Sequence, residues 1–113
     1  MWVIRDAQMG SLAAHTRSRF AEVLREHLKR SFPRLSRAMG DAGLDELIRH
    51  GMERSAVHGV VVQADIARYV ELMMVLGRDF DIDPRRAWAG AILRADDPPS
   101  VRLELIRRDA EGR

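Results

Sequence analysis

The chain contains no cysteine. Disulfide frameworks, thiolate zinc sites and thiol-based redox or nucleophilic chemistry are therefore excluded, and stability has to come from packing. Long apolar runs are also missing. The longest, Leu72 to Leu76, is five residues, far short of a membrane span. The opening MWVIRDAQMG has no basic region followed by an apolar one, so no secretory leader is expected and the expected compartment is the cytoplasm. Lysine is nearly absent, with one residue against eighteen arginines. That bias accounts for the sequence pI of 9.9. Nineteen basic against seventeen acidic side chains leave a net charge of only +2, so the high pI reflects arginine-rich codon usage of a GC-rich bacterial genome more than an affinity for nucleic acid.

With 113 residues, 46% hydrophobic and 32% charged, the chain has room for one domain, 1–113, whose ends at 1–5 and 110–113 are expected to be loosely ordered. Apolar residues recur at threes and fours from Asp6 to about Ser31 (Met9, Leu12, Ala13, Phe20, Val23, Leu24, Leu28, with Phe32 beyond), which predicts a long amphipathic helix. Pro33 starts a short helix over Arg34 to Met39, which Gly40 ends. Leu44, Leu47, Ile48 and Met52 mark a third helix, entered at Asp41 or Gly43 and fading near His58-Gly59.

Val60 to Val62 has no second alternating run to pair with, and reads as an extended linker against the core. From Gln63 or Ala64 to Leu76 the pattern is apolar almost all round, which predicts the most buried, central helix, stopped by Gly77. Asp83 as N-cap and Pro84 at the first position open a fifth helix to about Arg94 that buries Trp88, Ile92 and Leu93. A last helix, about Ser100 to Asp109, packs through Val101 and Leu105, with Leu103 and Ile106 as further candidates. The expected fold is all-α, a single compact bundle of five to six helices with a buried central helix at about 64–76.

Residues 1–37 hold eight basic side chains against three acids, +5, and the remainder is −3. On a helical wheel Arg17, Arg19, Arg25, Lys29 and Arg30 spread over the solvent side with Glu22 and Glu26 among them. This reads as a solvated face laced with pairs such as Glu22–Arg25 and Glu26–Arg30, and secondarily as a surface for an acidic protein. Nucleic acid is disfavoured, because neither a reading helix with clustered polar donors nor stacking aromatics accompany the charge.

Asp79, Asp81 and Asp83 alternate as at the start of a calcium loop, but Pro84 stands where the glycine belongs and Gly90 where the bidentate glutamate belongs. They read instead as an N-cap and two loop acids, with Arg78, Arg85 or Arg86 as candidate partners. His15, His27, His50 and His58 show no metal-ligand spacing, and His27, on the apolar stripe, reads as a hydrogen-bonded core or boundary residue. A triad composed from Ser36, His58 and Asp65 has no nucleophile elbow behind it. No catalytic residue, metal or cofactor is assigned. Met73 and Met74 are read as core. The terminal Trp2, Val3 and Ile4 must fold back on the bundle, the favoured reading, or meet another chain.

The segment ADIARYVELMMVLGRDFDIDPRRAWAGAIL, Ala64 to Leu93, resembles a family of small uncharacterised bacterial helical proteins. The shared pattern is an Asp-initiated helix ending in L-M-x-x-x-G, a D-F-D-x-D-P loop and a Trp-Ala helix ending in I-L. FPRL at Phe32 to Leu35 and RHGMERSAVHGV at Arg49 to Val60 fit the same layout, so the resemblance spans most of the chain. Such genes often lie beside PAAR and VgrG genes of type VI secretion loci. The resemblance thus implies a non-enzymatic, protein-binding adaptor or co-chaperone whose partner is a secretion effector or spike component. In that reading Trp2, Val3 and Ile4 are a hydrophobic anchor, and Arg17, Arg25, Lys29 and Arg30 orient the partner. The alternative is a small nucleic-acid-associated regulator that uses the basic first helix.

Overall fold

The computed structural model describes residues 13–112, and the side chains of 19–112. Within these residues the chain forms five α-helices and no strand, an all-α bundle as the periodicities require. Helix α1 (Ala13–Ser31) buries Phe20, Leu24 and Leu28 completely, a stripe at i, i+4 and i+8, while Val23 beside it is 39% exposed. Pro33 then opens α2 (Pro33–Val57), its fixed φ and missing N–H suiting the first turn. The elbow between them is closed by the Phe32 N–H donating to the Leu28 carbonyl (2.8 Å) and the Ser36 hydroxyl donating to the same oxygen (3.0 Å).

Gly40 interrupts α2 with φ 73° and ψ 168°, a region that only glycine occupies without strain. The break divides the helix where the sequence placed the end of one helix and the entrance of the next. Beyond it Leu44, Leu47, Ile48, Gly51 and Ser55 face inward. Val60 is wholly buried while Val61 and Val62 are exposed, so the linker is extended and packs through one residue in three.

Helix α3 (Gln63–Leu76) is the hub, packed on α1, α2 and α5, and burying Ile66, Ala67, Tyr69, Val70, Leu72, Met73 and Leu76. It does reach the surface along one edge, where Val75 is 59% exposed. Gly77 closes it at φ 111°, its N–H donating to the Met73 carbonyl. Asp83 acts as the N-cap, its Oδ1 accepting the Arg85 N–H at 2.9 Å, with Pro84 next. The cap starts a single 3₁₀ turn, Pro84–Arg86, before α4 (Ala87–Leu93), so the single helix expected there is two short pieces.

Helix α5 (Pro99–Glu111) is rotated from the sequence expectation: Leu103 and Ile106 enter the core, whereas Val101 and Leu105 are 43% and 40% exposed. Arg102 fixes that rotation. Its buried guanidinium donates to the carbonyls of Leu93, Asp97 and His58, so the C-terminal end of α4 and the end of α2 both hold this face of α5 inward.

Candidate functional site

The basic residues singled out in the sequence have different fates. Trp2, Val3 and Ile4 lie outside the described residues, and Arg17 lies in α1 with its side chain outside them. Arg25 and Lys29, one turn apart on α1, meet Asp45 and Asp41, one turn apart on α2. Arg25 Nη1 donates to both Asp45 oxygens at 2.8 and 3.0 Å, and Lys29 Nζ is 2.9 Å from Asp41. The two rows run in opposite directions and form a short ion-pair ladder between the helices. Its hydrogen bonds and charges raise the Arg25 and Lys29 pKa values and lower that of Asp41. The expected pairs within α1 are replaced: Arg25 turns to Asp45, and Glu26 stands 3.7 Å from Lys29.

Arg30 is exposed and has no ion pair among the described residues, and the same holds for Arg34 and Arg37 at the start of α2. Arg34 and Arg37, three residues apart on a helix, share a face. Arg37 also lines, with Lys29, Pro33, Ser36, Gly40 and Asp41, a surface cavity of about 390 Å³, in which Asp41 is already taken by Lys29. The α1–α2 elbow therefore concentrates positive charge that the described part of the fold leaves unused. Arg34 and Arg37 were counted in the basic third of the sequence but not singled out. The available signal was the absence of any acid between Lys29 and Arg37, together with a glycine at 40 that separates Arg37 from Asp41.

The aspartates of the D-F-D-I-D-P loop go to separate partners. His50, Arg54 and His58 form one row on the later part of α2, spaced at i, i+4 and i+8. His50 Nε2 is 2.8 Å from Asp79 Oδ1, while Arg54 Nη2 (2.7 Å) and His58 Nε2 (2.9 Å) both donate to Asp81 Oδ2. The Asp81 carboxylate is fully buried. Burial opposes its ionisation, but the bonds from His58 and Arg54 and the Arg54 charge prevail and hold it below the usual carboxylate range.

Tyr69 lies between the rings of His58 (centroids 6.2 Å apart) and Phe80 (5.0 Å). Its ionisation is pushed up by burial first and by the Asp81 charge second. Asp83 belongs to the cap and to Arg85, which lower its pKa. Of the expected partners only Arg85 is used by these acids: Arg78 approaches Glu46 at 3.7 Å, and Arg86 donates to the Leu76 carbonyl at 2.7 Å.

His27 is buried on the α1 stripe with Nε2 2.6 Å from Glu71 of α3, the hydrogen-bonded position read from the sequence. Ser36, His58 and Asp65 do not converge. Their side chains engage the Leu28 carbonyl, Asp81 and Arg68 respectively. Among the described residues no group of three or more His, Asp or Glu side chains is placed to hold a metal ion. No family model, curated protein or solved structure matches the chain.

Proposed function

We propose that this chain is a non-enzymatic protein-binding module, an adaptor or co-chaperone for a type VI secretion effector or spike component, acting in the bacterial cytoplasm before export. An acidic segment of the partner docks on the α1–α2 elbow. The observation that supports this reading is the group of guanidiniums at Arg30, Arg34 and Arg37, unpaired among the described residues, beside the cavity that Lys29 and Arg37 line. Arg25 and Lys29, by contrast, are engaged within the fold. Exposed arginines present planar donor forks that match carboxylates in pairs, and like charges gathered at one corner steer an oppositely charged partner during encounter. Among the described residues no helix is long and apolar enough to cross a membrane, which is compatible with a partner met in solution.

Affinity capture from the native host tests the reading. The wild-type chain is expected to retain a secretion effector or spike component. The Arg34→Glu/Arg37→Glu variant is expected to bind it at least about tenfold more weakly, a loss of about 1.4 kcal/mol. Arg25→Ala is expected to bind as the wild type does. Binding should also weaken as salt shortens the Debye length from about 10 Å at 0.1 M. Capture unaffected by the double charge reversal, or retention of nucleic acid in place of protein, would overturn the proposal.

A further inference from the structure

A cavity of about 470 Å³ lies at the corner where the end of α2, the linker 60–62 and the start of α3 meet. Val60 and Ile66 are its buried floor and Met52 is half-buried, while Ala56 and Val61 are walls open to solvent, Val61 at 70% exposure. Val57 and Val62, next to those walls in sequence, are 65% and 45% exposed. The two charged residues of the lining, Arg49 and Glu53, are paired with each other at 2.9 Å. The groove therefore offers apolar surface without net charge, and suits an apolar segment better than a charged one.

Helix α1 begins beside this corner. The ladder sets Arg25 against Asp45 and Lys29 against Asp41, so α1 and the later part of α2 run antiparallel. One turn further along, Ala21 and Arg49 line a common cavity, and Arg49 and Met52 belong to both cavities. The same register carried two more turns brings Ala13, where α1 begins, level with Val57. Twelve residues precede Ala13, outside the described residues, and they open with MWVI. Trp2 is eleven residues from Ala13, a reach of up to about 36 Å in extended chain. From Arg49 to Ala56 the groove follows only seven residues of α2, about 10 Å of rise, so it lies well within that reach. A tethered segment acts at an effective concentration of millimolar order, which any free apolar partner has to exceed.

We infer that Trp2, Val3 and Ile4 of the same chain dock in this groove, against Met52, Ala56 and Val61, and cover the apolar corner that the described helices leave open. The inference assigns the terminal apolar residues to the fold itself and leaves partner recognition to the elbow. It does not depend on the acidic-partner reading, because the elbow stands at the other end of α1, 19 residues and about 28 Å away.

The cysteine-free sequence makes the test direct. In the full chain, Arg5→Cys, next to the segment, is combined in turn with Val57→Cys and with Val62→Cys, exposed positions whose substitution spares the groove lining. A disulfide needs Cα atoms within about 7 Å of each other, and its equilibrium against glutathione gives the effective concentration of one thiol for the other. At least one pair is expected to show an effective concentration at least about tenfold above that of the same pair carrying Trp2→Ser and Ile4→Ser, which keep the tether and remove the apolar contacts. Val61→Asp, in the wall of the groove, is expected to produce the same fall.

Effective concentrations that the two serine substitutions leave unchanged in both pairs would overturn the docking. A fall with the serine substitutions but none with Val61→Asp would place the segment elsewhere on the bundle and overturn it equally. Disulfides that join two chains in place of closing within one would show the segment seated on a second copy, and would overturn the assignment to its own chain.

Discussion

Asp81 and Tyr69 show how a single position acquires its properties from residues distant in sequence. Asp81 meets Arg54 and His58, 27 and 23 positions earlier. Nothing within one helical turn of the D-F-D-I-D-P loop announces this. Local spacing was a mixed guide: Arg49 with Glu46 and Glu53, and Arg107 with Glu104 and Glu111, take i, i+3 and i, i+4 partners, whereas the expected Glu22–Arg25 and Glu26–Arg30 pairs give way to Arg25–Asp45 and Lys29–Glu26. The Tyr69 hydroxyl and the Asp81 Oδ1 are both buried and matched by no other described group, and the hydroxyl interacts with the Asp81 carboxylate, which helps to raise its pKa. Because the hydroxyl offers its proton to a buried carboxylate, Tyr69→Phe is expected to lower stability by about 1 kcal/mol in urea denaturation. A Tyr69→Phe variant as stable as the wild type would show that the hydroxyl contributes no bond to Asp81.

Among the elements, α2 packs closely on α3, and Gly51 permits it. A Cβ at that position would stand 2.7 Å from Val70 Cγ2 and 2.9 Å from Met73 Sδ. Gly51→Ala gains about 1 kcal/mol of helix propensity but forces two core side chains from their places, an overpacking cost of about 1–3 kcal/mol. The expected result is a net loss of stability, read from the denaturation midpoint; a Gly51→Ala variant as stable as wild type would mean that Val70 and Met73 repack freely. The boundaries of these elements were legible because proline, glycine and the Asp83 cap act within one turn. The rotation of α5 was not. Its apolar residues offer two nearly equal faces, and the three carbonyls that hold Arg102 come from residues outside α5.

For the whole molecule, the charge arrangement governs both stability and contact with partners. The α1–α2 ladder and the helix-surface pairs are solvent-exposed, and each contributes little. Asp81 differs because it is buried. Its pKa is depressed in the folded state, so the stability it supplies is fully present above the pKa of an unfolded aspartate and is lost as pH falls through the lower, folded value. The wild-type chain should therefore lose stability steeply below about pH 4. Asp81→Asn should be less stable at pH 7 by about 2–4 kcal/mol, since Arg54 and His58 lose a charged partner, and its stability should fall less on acidification. Parallel acid limbs in pH-dependent denaturation would remove Asp81 as their cause.

The order of helices, the break at Gly40, the stop at Gly77, the cap at Asp83 and the buried course of α3 were determined by the sequence itself, since each depends on periodicity or on backbone conformations set within a few residues. Which cations are spent within the fold and which stay available was decided only in three dimensions. Arg25 and Lys29 looked equivalent to Arg30 until the packing of α1 against α2 brought Asp45 and Asp41 within reach of the first two and no described acid within reach of the third. The physical reason is that helix rotation and crossing are fixed by burial across the core, and the polar side chains carried round with each helix take whatever partners that rotation presents.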